Sequence, residues 1–385
     1  MGNLAVDGGK MKNHILPVDE KGVNNALASF LGRMISDGVV GAVLVPRDTG
    51  SGKSTAMTLV KSPGALQAIN PFAPVSMVNA ARIVSDLTSS SVPDEKIGVV
   101  LRSCETRALV ELVKLNQANL ESIVVIGMDC LGTFDPADYS QLSSAGERLA
   151  EEWMAAPAGK EYRENLNGKS IRRACSACGH IEAEHAAIHL GWVGMDRKQV
   201  LVSVSDEFSQ WASSFLGSGS DRAPEGRLQS IEVIRARREE NRKRLYEEFA
   251  ARAGSVEALL TELAGCIKCH NCRQACPLCF CRECVFSTDI FKHGPDYYLN
   301  RAGRKGLMGM PADKLLFHLT RVNHMALSCV GCGQCESACP GKIPLGVIFK
   351  MAGERLQKIF NYVPGRSLEE EPPLTTYREN ELEPR

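Results

Sequence analysis

Between about residue 20 and residue 220 the chain alternates two hydrophobic periods. KGVNNALASFLGRMISDG and PVSMVNAARIVSDL space their apolar positions as amphipathic helices do, and VGAVLV between them is a continuous apolar strand. KIGVVLRS and ESIVVIGMDC are apolar throughout, as strands buried on both faces are, and the helical ETRALVELVKLNQ separates them. Helix and strand in turn predict an α/β layer. GRLQSIEVIRARREENRKRLYEEFAARAG then changes character, and its mixed-sign charge with few apolar residues predicts a solvated connecting helix. A last helical run, IPLGVIFKMAGERLQKIF, precedes the polar tail SLEEEPPLTTYRENELEPR, expected to be loosely ordered or docked on a partner. These shifts divide the chain into an α/β domain at 1–225, a charged helical linker at 226–257, a cysteine-dense unit at 258–360 and a tail at 361–385.

Within the first domain, VLVPRDTGSGKSTAMTLVKSPG contains a string familiar from phosphate-binding loops. That loop needs G-x-x-x-x-G-K-[ST] followed by a helix, so that successive backbone N–H groups face the phosphates. Counting back from Gly52, Lys53 and Ser54, the first glycine falls at Arg47, while Thr55, Thr58, Val60 and Pro63 disfavour the helix. The pattern predicts a hairpin instead, with DTGSGKS as a solvated turn between two strands. An ATPase is the functional alternative that the hairpin sets aside.

At 385 residues the chain is long enough for two or more compact units. Lys plus Arg and Asp plus Glu number 45 each, which removes any global electrostatic case for nucleic acid or an anionic membrane. No run of about 18 apolar residues occurs. The start MGNLAVDGGKMKNHILP lacks a signal peptide's apolar segment, and Val6 breaks the myristoylation pattern, so a soluble cytoplasmic protein is expected.

Cysteine changes the picture most. There are 15, none before Cys104, and 11 of them lie from Cys266 to Cys339. An odd total, short spacings and an unexported chain favour metal or cluster ligation over disulfides. CIKCHNCRQACP supplies Cys266, Cys269, Cys272 and Cys276, and CVGCGQCESACP supplies Cys329, Cys332, Cys335 and Cys339. Each is a full C-x2-C-x2-C-x3-C-P run of the two-cluster ferredoxin type, in which the fourth cysteine ligates the other cluster. One [4Fe-4S] cluster is therefore expected on Cys266, Cys269, Cys272 and Cys339, the other on Cys329, Cys332, Cys335 and Cys276. Neither the tri-cysteine spacing nor the C-P ending suits a pair of zinc sites.

The runs are separated by 52 residues between Cys276 and Cys329, far more than a minimal ferredoxin needs. Inside lie Cys279, Cys281 and Cys284, then His293, His318 and His324. The three thiols either hold an additional metal with a histidine or pack beside a cluster. Cys104, Cys130, Cys175 and Cys178 remain. The first two end buried strands, where α/β sheets place their ligands, and the last two form a C-x2-C pair. They number enough for a third cluster, and are otherwise buried apolar thiols.

Several of these segments resemble one family. KGVNNALASFLGRMISDGVVGAVLV resembles the opening GGVVTAL helix and strand of the coenzyme F420 hydrogenase/dehydrogenase beta-subunit family, which includes the beta subunits of F420-dependent formate dehydrogenases. VVLRSCETRALVEL resembles its GTPCQ-type strand-to-helix turn, IGMDCLGTF its GLFC-type strand end, and ACSACGHIEAEHAAIHLGWVG its C-x2-C followed by a glycine-rich strand. The resemblance runs over nearly residues 15 to 360, and the domain order is most similar to the formate dehydrogenase members. It implies an α/β flavin-binding domain followed by an α+β two-[4Fe-4S] ferredoxin-like domain. It also implies FAD, and a third cluster on Cys104, Cys130, Cys175 and Cys178.

The flavin contacts it implies are Lys21, Gly22, Val23, Asn24 and Asn25 at a helix start, Asn70, Pro71, Phe72 and Pro74 in a loop, and Ser103, Glu105 and Arg107 at a turn. A helix N-terminus beside a lysine suits a pyrophosphate on physical grounds as well. Otherwise these residues are ordinary caps and loops. Activity follows as an oxidoreductase subunit passing electrons between a two-electron carrier and a partner. That partner is the catalytic alpha subunit of a formate dehydrogenase or hydrogenase, or heterodisulfide-reductase-like subunits. LRSCET in place of GTPCQ, and DEKGVNN in place of a glycine-rich entry, leave the carrier open among F420, a nicotinamide, a ferredoxin and another flavoprotein. A ferredoxin-type relay without its own flavin is the rival reading.

Overall fold

The computed structural model describes residues 11–143, 149–154, 162–281, 283–291, 293–306 and 312–377. The MGNLAV start and the end of the polar tail lie outside the described residues. The strands are β1 (Lys12–Pro17), β2 (Ala42–Asp48), β3 (Thr55–Val60), β4 (Ile97–Arg102), β5 (Ile123–Met128), the short β6 (Asn165–Leu166) and β7 (Lys169–Ser170), β8 (Ile188–Gly191) and β9 (Gln199–Val204). Seven of them form one sheet in the order β1-β9-β8-β5-β4-β2-β3, and β6 and β7 pair separately. At its centre β2, β4, β5 and β8 run parallel, with antiparallel β3 on one edge and antiparallel β9 and β1 on the other.

Every residue of β4 and β5 is buried, which is why their sequences show no polar alternation. One face packs against α1 (Val23–Ser36), and the other against α2 (Ala80–Thr88) and α3 (Ser103–Lys114). The α/β layer read from the hydrophobic pattern is present.

The β2–β3 pair is the hairpin that the sequence pattern predicts, with Asp48 opposite Thr55. Thr49 N–H donates to the Ser54 carbonyl at 3.0 Å and Gly52 N–H to the Thr49 carbonyl at 2.8 Å. A strand, not a helix, follows Lys53, so its backbone forms no phosphate cradle. Lys53→Ala is expected to leave the fold intact and stability within about 0.5 kcal/mol; a thermal melt checks this.

Beyond the sheet come α4 (Pro136–Ser143), α5 (Leu149–Met154), α6 (Arg173–Ser176), α7 (Asp206–Leu216) and the long α8 (Glu225–Arg252). The last is more than the solvated connector its charge pattern predicts. Arg227, Ile231, Ile234, Arg238 and Phe249 are buried along it. Arg227 pairs with Asp129 at 2.6 Å, and Arg238 donates to the Tyr162 hydroxyl at 2.7 Å. Arginines serve as its inward anchors, and a hydrophobic period cannot register them.

The cysteine-dense unit contains α9 (Val256–Leu263), α10 (Asn271–Gln274), α11 (Pro295–Lys305), α12 (Ala312–Met325), α13 (Gln334–Ser337) and α14 (Leu345–Ile359). Here the expected α+β character is corrected: among the described residues from 258 to 360 there are helices and loops but no strand. Each cysteine run turns straight into a one-turn helix, α10 or α13, and no period-two segment is left to pair. Its buried residues, among them Cys266, Cys272, Phe317 and Phe349, join Leu101, Leu109 and Val125 of the sheet side in one continuous apolar cluster. The two units therefore share a core.

The first part of the tail docks on its own chain. Glu111 of α3 accepts from the Tyr362 hydroxyl at 2.6 Å and from Gly365 N–H at 2.8 Å, and Arg107 Nε donates to the Pro364 carbonyl at 3.0 Å.

Candidate functional site

The parallel strands end together, and their carboxyl ends build the first half of the site, as the crevice rule for α/β sheets requires. Asn70 is tied to the end of β2 by its N–H on the Pro46 carbonyl at 2.8 Å and by its side-chain amide on Asp48 at 3.0 Å. Asn24 of α1 donates to Asn70 Oδ1 at 3.2 Å. Arg102, ending β4, reaches the Pro71 and Ala73 carbonyls at 3.3 and 2.8 Å, and Phe134 N–H donates to the Pro74 carbonyl at 2.8 Å. The α1 start, the 70–74 loop and the β4–α3 turn are thus one joined edge. Phe72 is buried edge-on to Trp192, with ring centroids 6.4 Å apart.

A cavity of about 590 Å³ opens beside this edge, lined by Lys21, Gly22, Val23, Glu151, Trp192 and Arg197 among others. No side chain caps the first turn of α1, so its amides remain available. Asn24 Oδ1 and Ser103 Oγ are buried and lack a hydrogen-bond partner among the described residues. Unpaired buried polar atoms are costly and mark places where a bound group would complete the bonding. Asn25 and Lys21 are exposed at the helix start.

Two of the expected flavin residues point elsewhere. Glu105 closes the α3 cap by accepting from Arg102 N–H at 2.8 Å and also accepts from Ala80 N–H at 3.2 Å. Arg107 spends its donors on the Pro364 and Val330 carbonyls. Both are buried charges with internal structural work, a role the sequence does not distinguish from ligand binding.

Twelve of the 15 thiols lie in three neighbourhoods of four. Cys104 at the start of α3 has Cys332, Cys130 and Cys178 as neighbours, and burial, with Glu105 and these thiols, raises its own thiol well above the usual value. Burial pushes Cys130 up to about 11, with Arg102 opposing and Cys175 adding to the rise. Burial acts on Cys175 too, but Arg172 and Thr133 bring it below its ordinary value. Gly132 N–H lies 3.4 Å from Cys130 Sγ, and Thr133 Oγ1 lies 3.6 Å from Cys175 Sγ. Backbone bonds hold the loops together: Cys130 N–H donates to the Ile181 carbonyl at 2.8 Å and Arg172 N–H to the Thr133 carbonyl at 2.9 Å.

Cys276 is pushed up to about 12 by burial, against Arg321, with Cys332 and Cys329 adjacent. Cys335 is raised well above its usual value by burial and by Cys276, Cys332 and Cys329. The last thiol of the first run thus stands among the first three of the second. Conversely, burial pushes Cys272 up to about 11, with Cys266, Cys339 and Cys269 as neighbours. Cys266, Cys269, Cys272 and Cys339 line one small cavity with Phe317, His318 and Ile343. Thiols raised this far stay protonated at neutral pH until a metal replaces the proton.

Local backbone geometry repeats between the runs. Lys268 and His270 are left-handed at φ 58° and 59°, and Gly331 and Gly333, at the matching positions, both have φ 72°. Such turns aim successive N–H groups inward and form concavities of the kind that hold iron-sulfur clusters. Gly333 also sits so near Ala174 of α6 that a Cβ would lie 2.4 Å from its methyl, so glycine lets the second group approach the third. Four thiols per group, inward amides and buried surroundings suit a [4Fe-4S] cluster at each.

Among the described residues, no three His, Cys, Asp or Glu side chains converge closely enough to hold a single metal ion. Cys279, Cys281 and Cys284 are not gathered with the histidines into such a group there. His318 Nε2 lies 3.4 Å from Cys266 Sγ, and His293 stacks on Tyr297 at 4.1 Å. A four-iron core spreads its thiolates wider than one ion does, so the three groups are unaffected by that observation.

Sequence reasoning missed three buried positions. Asp129, next to Cys130, accepts from Arg227, from Trp192 N–H at 2.8 Å and from Val193 N–H at 2.9 Å. Burial works against its charge, yet Arg227 and His189 hold its carboxyl well below the usual carboxylate range. Arg172 and Arg321 stand among the thiols. The available signals were slight: a basic pair before ACSAC, and an arginine one helical turn after His318.

No family model matches the chain. The chain is 28% identical over 306 residues to an F420-dependent formate dehydrogenase subunit beta of Methanocaldococcus jannaschii, covering 72% of this chain and 76% of that protein. It is 28% identical over 308 residues to an F420-dependent formate dehydrogenase 1 subunit beta of Methanococcus maripaludis, covering 73% and 76%. A chain of the F420-reducing [NiFe] hydrogenase complex of Methanosarcina barkeri aligns with a TM-score of 0.44 at 13% identity, over 65% of this chain and 95% of that one. The resemblance read from the residues stands: the curated relatives are named as subunits of an oxidoreductase. Among the described residues no helix is long and apolar enough to cross a membrane.

Proposed function

From its kinship with F420-dependent formate dehydrogenase beta subunits, we propose that the chain is an electron-transfer subunit that binds FAD and three [4Fe-4S] clusters. It would link a two-electron carrier of the F420 or NAD(P)H type to a catalytic partner subunit. The observation that carries this reading is the file of thiols. The group of Cys104, Cys130, Cys175 and Cys178 adjoins the flavin edge, and Cys104 neighbours Cys332 of the second group. Cys276 ties that group to the first run, whose Cys269 is exposed at the surface.

When bound, flavin supplies two-electron exchange with the carrier, and the clusters supply single-electron steps. The chain's own residues hold and insulate these groups. The α1 amides with Lys21 would take the diphosphate, and Asn24 and Ser103 would complete bonds that lack partners. Trp192 lines the cavity with an apolar ring, backed by the buried ring of Phe72. Gly132 and Thr133 offer donors to the third group's sulfurs, which fixes their geometry. Glu105 and Arg107 would keep the turn in place from behind.

The partner would be a catalytic alpha subunit of a formate dehydrogenase or hydrogenase, or a heterodisulfide-reductase-like subunit. Anaerobic mixing of the full chain with reduced F420, NADH or NADPH tests the reading. One of them is expected to bleach the flavin band and then the broader cluster absorbance. No bleaching by any of them, together with no flavin in an acid extract, would leave the flavin-free relay instead.

A further inference from the structure

Each junction between neighbouring thiol groups holds one buried arginine with unsatisfied donors. Arg321 of α12 is 4% exposed, donates to the Cys272 carbonyl at 3.1 Å, and leaves Nε and Nη1 without partners among the described residues. Its guanidinium lies 4.7 Å from the Phe349 ring and has Cys272 of the first group, Cys276 and Cys335 of the second, and Cys279 as neighbours. Arg172 is 7% exposed, and its Nε is likewise without a partner. Its neighbours are Cys175 and Cys104 of the third group and Cys332 of the second.

A buried guanidinium with donors left over costs several kcal/mol unless an anion balances it. The groups beside these two are thiols, which become thiolates around an iron-sulfur core. A fixed positive charge favours the reduced, more negative state of such a core, and donors to its sulfurs act in the same direction. The insert between the two cysteine runs thereby has a use, since it supplies α12 and with it Arg321.

We propose that Arg172 and Arg321 are positioning residues that set the reduction potentials of the clusters they separate. Arg172 acts on the third and second groups, and Arg321 on the second and first. This rests on the cluster reading above.

The test is an anaerobic redox titration of the full chain followed by EPR, with iron counted in every sample. In Arg321→Met two of three one-electron waves should move to lower potential and one should stay. At a fixed potential the reduced-to-oxidised ratio of the moved pair should fall about tenfold, which is about 59 mV for a one-electron couple. Arg172→Met should move a different pair, with one wave common to both variants. Arg321→Lys, which retains the charge, should keep its waves near those of the unmodified chain.

Full iron with unmoved waves in both Met variants would overturn the inference alone. So would a Lys variant that shifts as far as Met. Should Arg321→Met lose iron, Arg172→Met and Arg321→Lys still decide it. An unmodified chain without iron would instead overturn the cluster reading.

Discussion

Cys332→Ala is expected to lower the iron of the anaerobically isolated chain by about a third, and to stop electron delivery to the partner while carrier-driven bleaching of the flavin persists. Cys332 is the thiol of the second group that neighbours Cys104, so it stands at the middle of the file. Burial raises it to about 11, relieved by Gln334 N–H, and it is surrounded by Cys329, Arg172 and Asn79. Without its sulfur the second group keeps three thiols and loses the side that faces the α/β domain. Cys281 is the internal control, being exposed and outside all three groups. Cys281→Ala should keep full iron and full delivery. Unchanged iron and delivery in Cys332→Ala would remove this residue from the ligand set.

Asp129→Asn should be the most destabilising single change outside the thiols, at about 3–5 kcal/mol. The carboxylate is fully buried among Arg227, His189 and two backbone N–H groups. An amide there leaves the buried Arg227 guanidinium only the part-exposed Glu182 as counter-charge, and with its oxygen kept on the Trp192 and Val193 amides it turns its NH2 against Arg227 Nη2 and His189. Because Asp129 adjoins Cys130, iron at the third group should fall with it. The double variant Asp129→Asn with Arg227→Met should be less damaging than the single, since no unpaired charge remains. Denaturant melts of both variants measure the difference. Equal losses in single and double would assign the effect to packing.

What the sequence discloses follows from which physical signals are local. The hairpin at DTGSGKS was readable because Arg47 occupies a required glycine position and β-branched Thr55 and Thr58 follow the turn. C-x3-C after C-x2-C-x2-C carries the fourth thiol away from the first three, and Cys276 and Cys339 each have thiols of the opposite run as neighbours. The buried face of α8 was not readable, since its anchors Arg227 and Arg238 count as polar in any hydrophobic period. The docking of Tyr362 and Gly365 on Glu111 was hidden for a related reason: a polar tail gives no sign of a buried carboxylate 251 residues before Tyr362 that needs donors. Glu105 and Arg107 show the converse, charge near a candidate ligand edge whose side chains serve a cap and a cross-tie that spacing does not reveal. The helical make-up of the 258–360 unit was likewise obscured, because cysteine spacing specifies ligand geometry and says little about the chain between ligands.

The central claim is that three groups of four thiols hold iron beside a bound flavin. Iron, acid-labile sulfide and extractable flavin, quantified on the full chain isolated without oxygen, test it most directly. About twelve irons with matching sulfide and one FAD per chain are expected. Zinc in place of iron, or far fewer irons with no yellow chromophore, would contradict it.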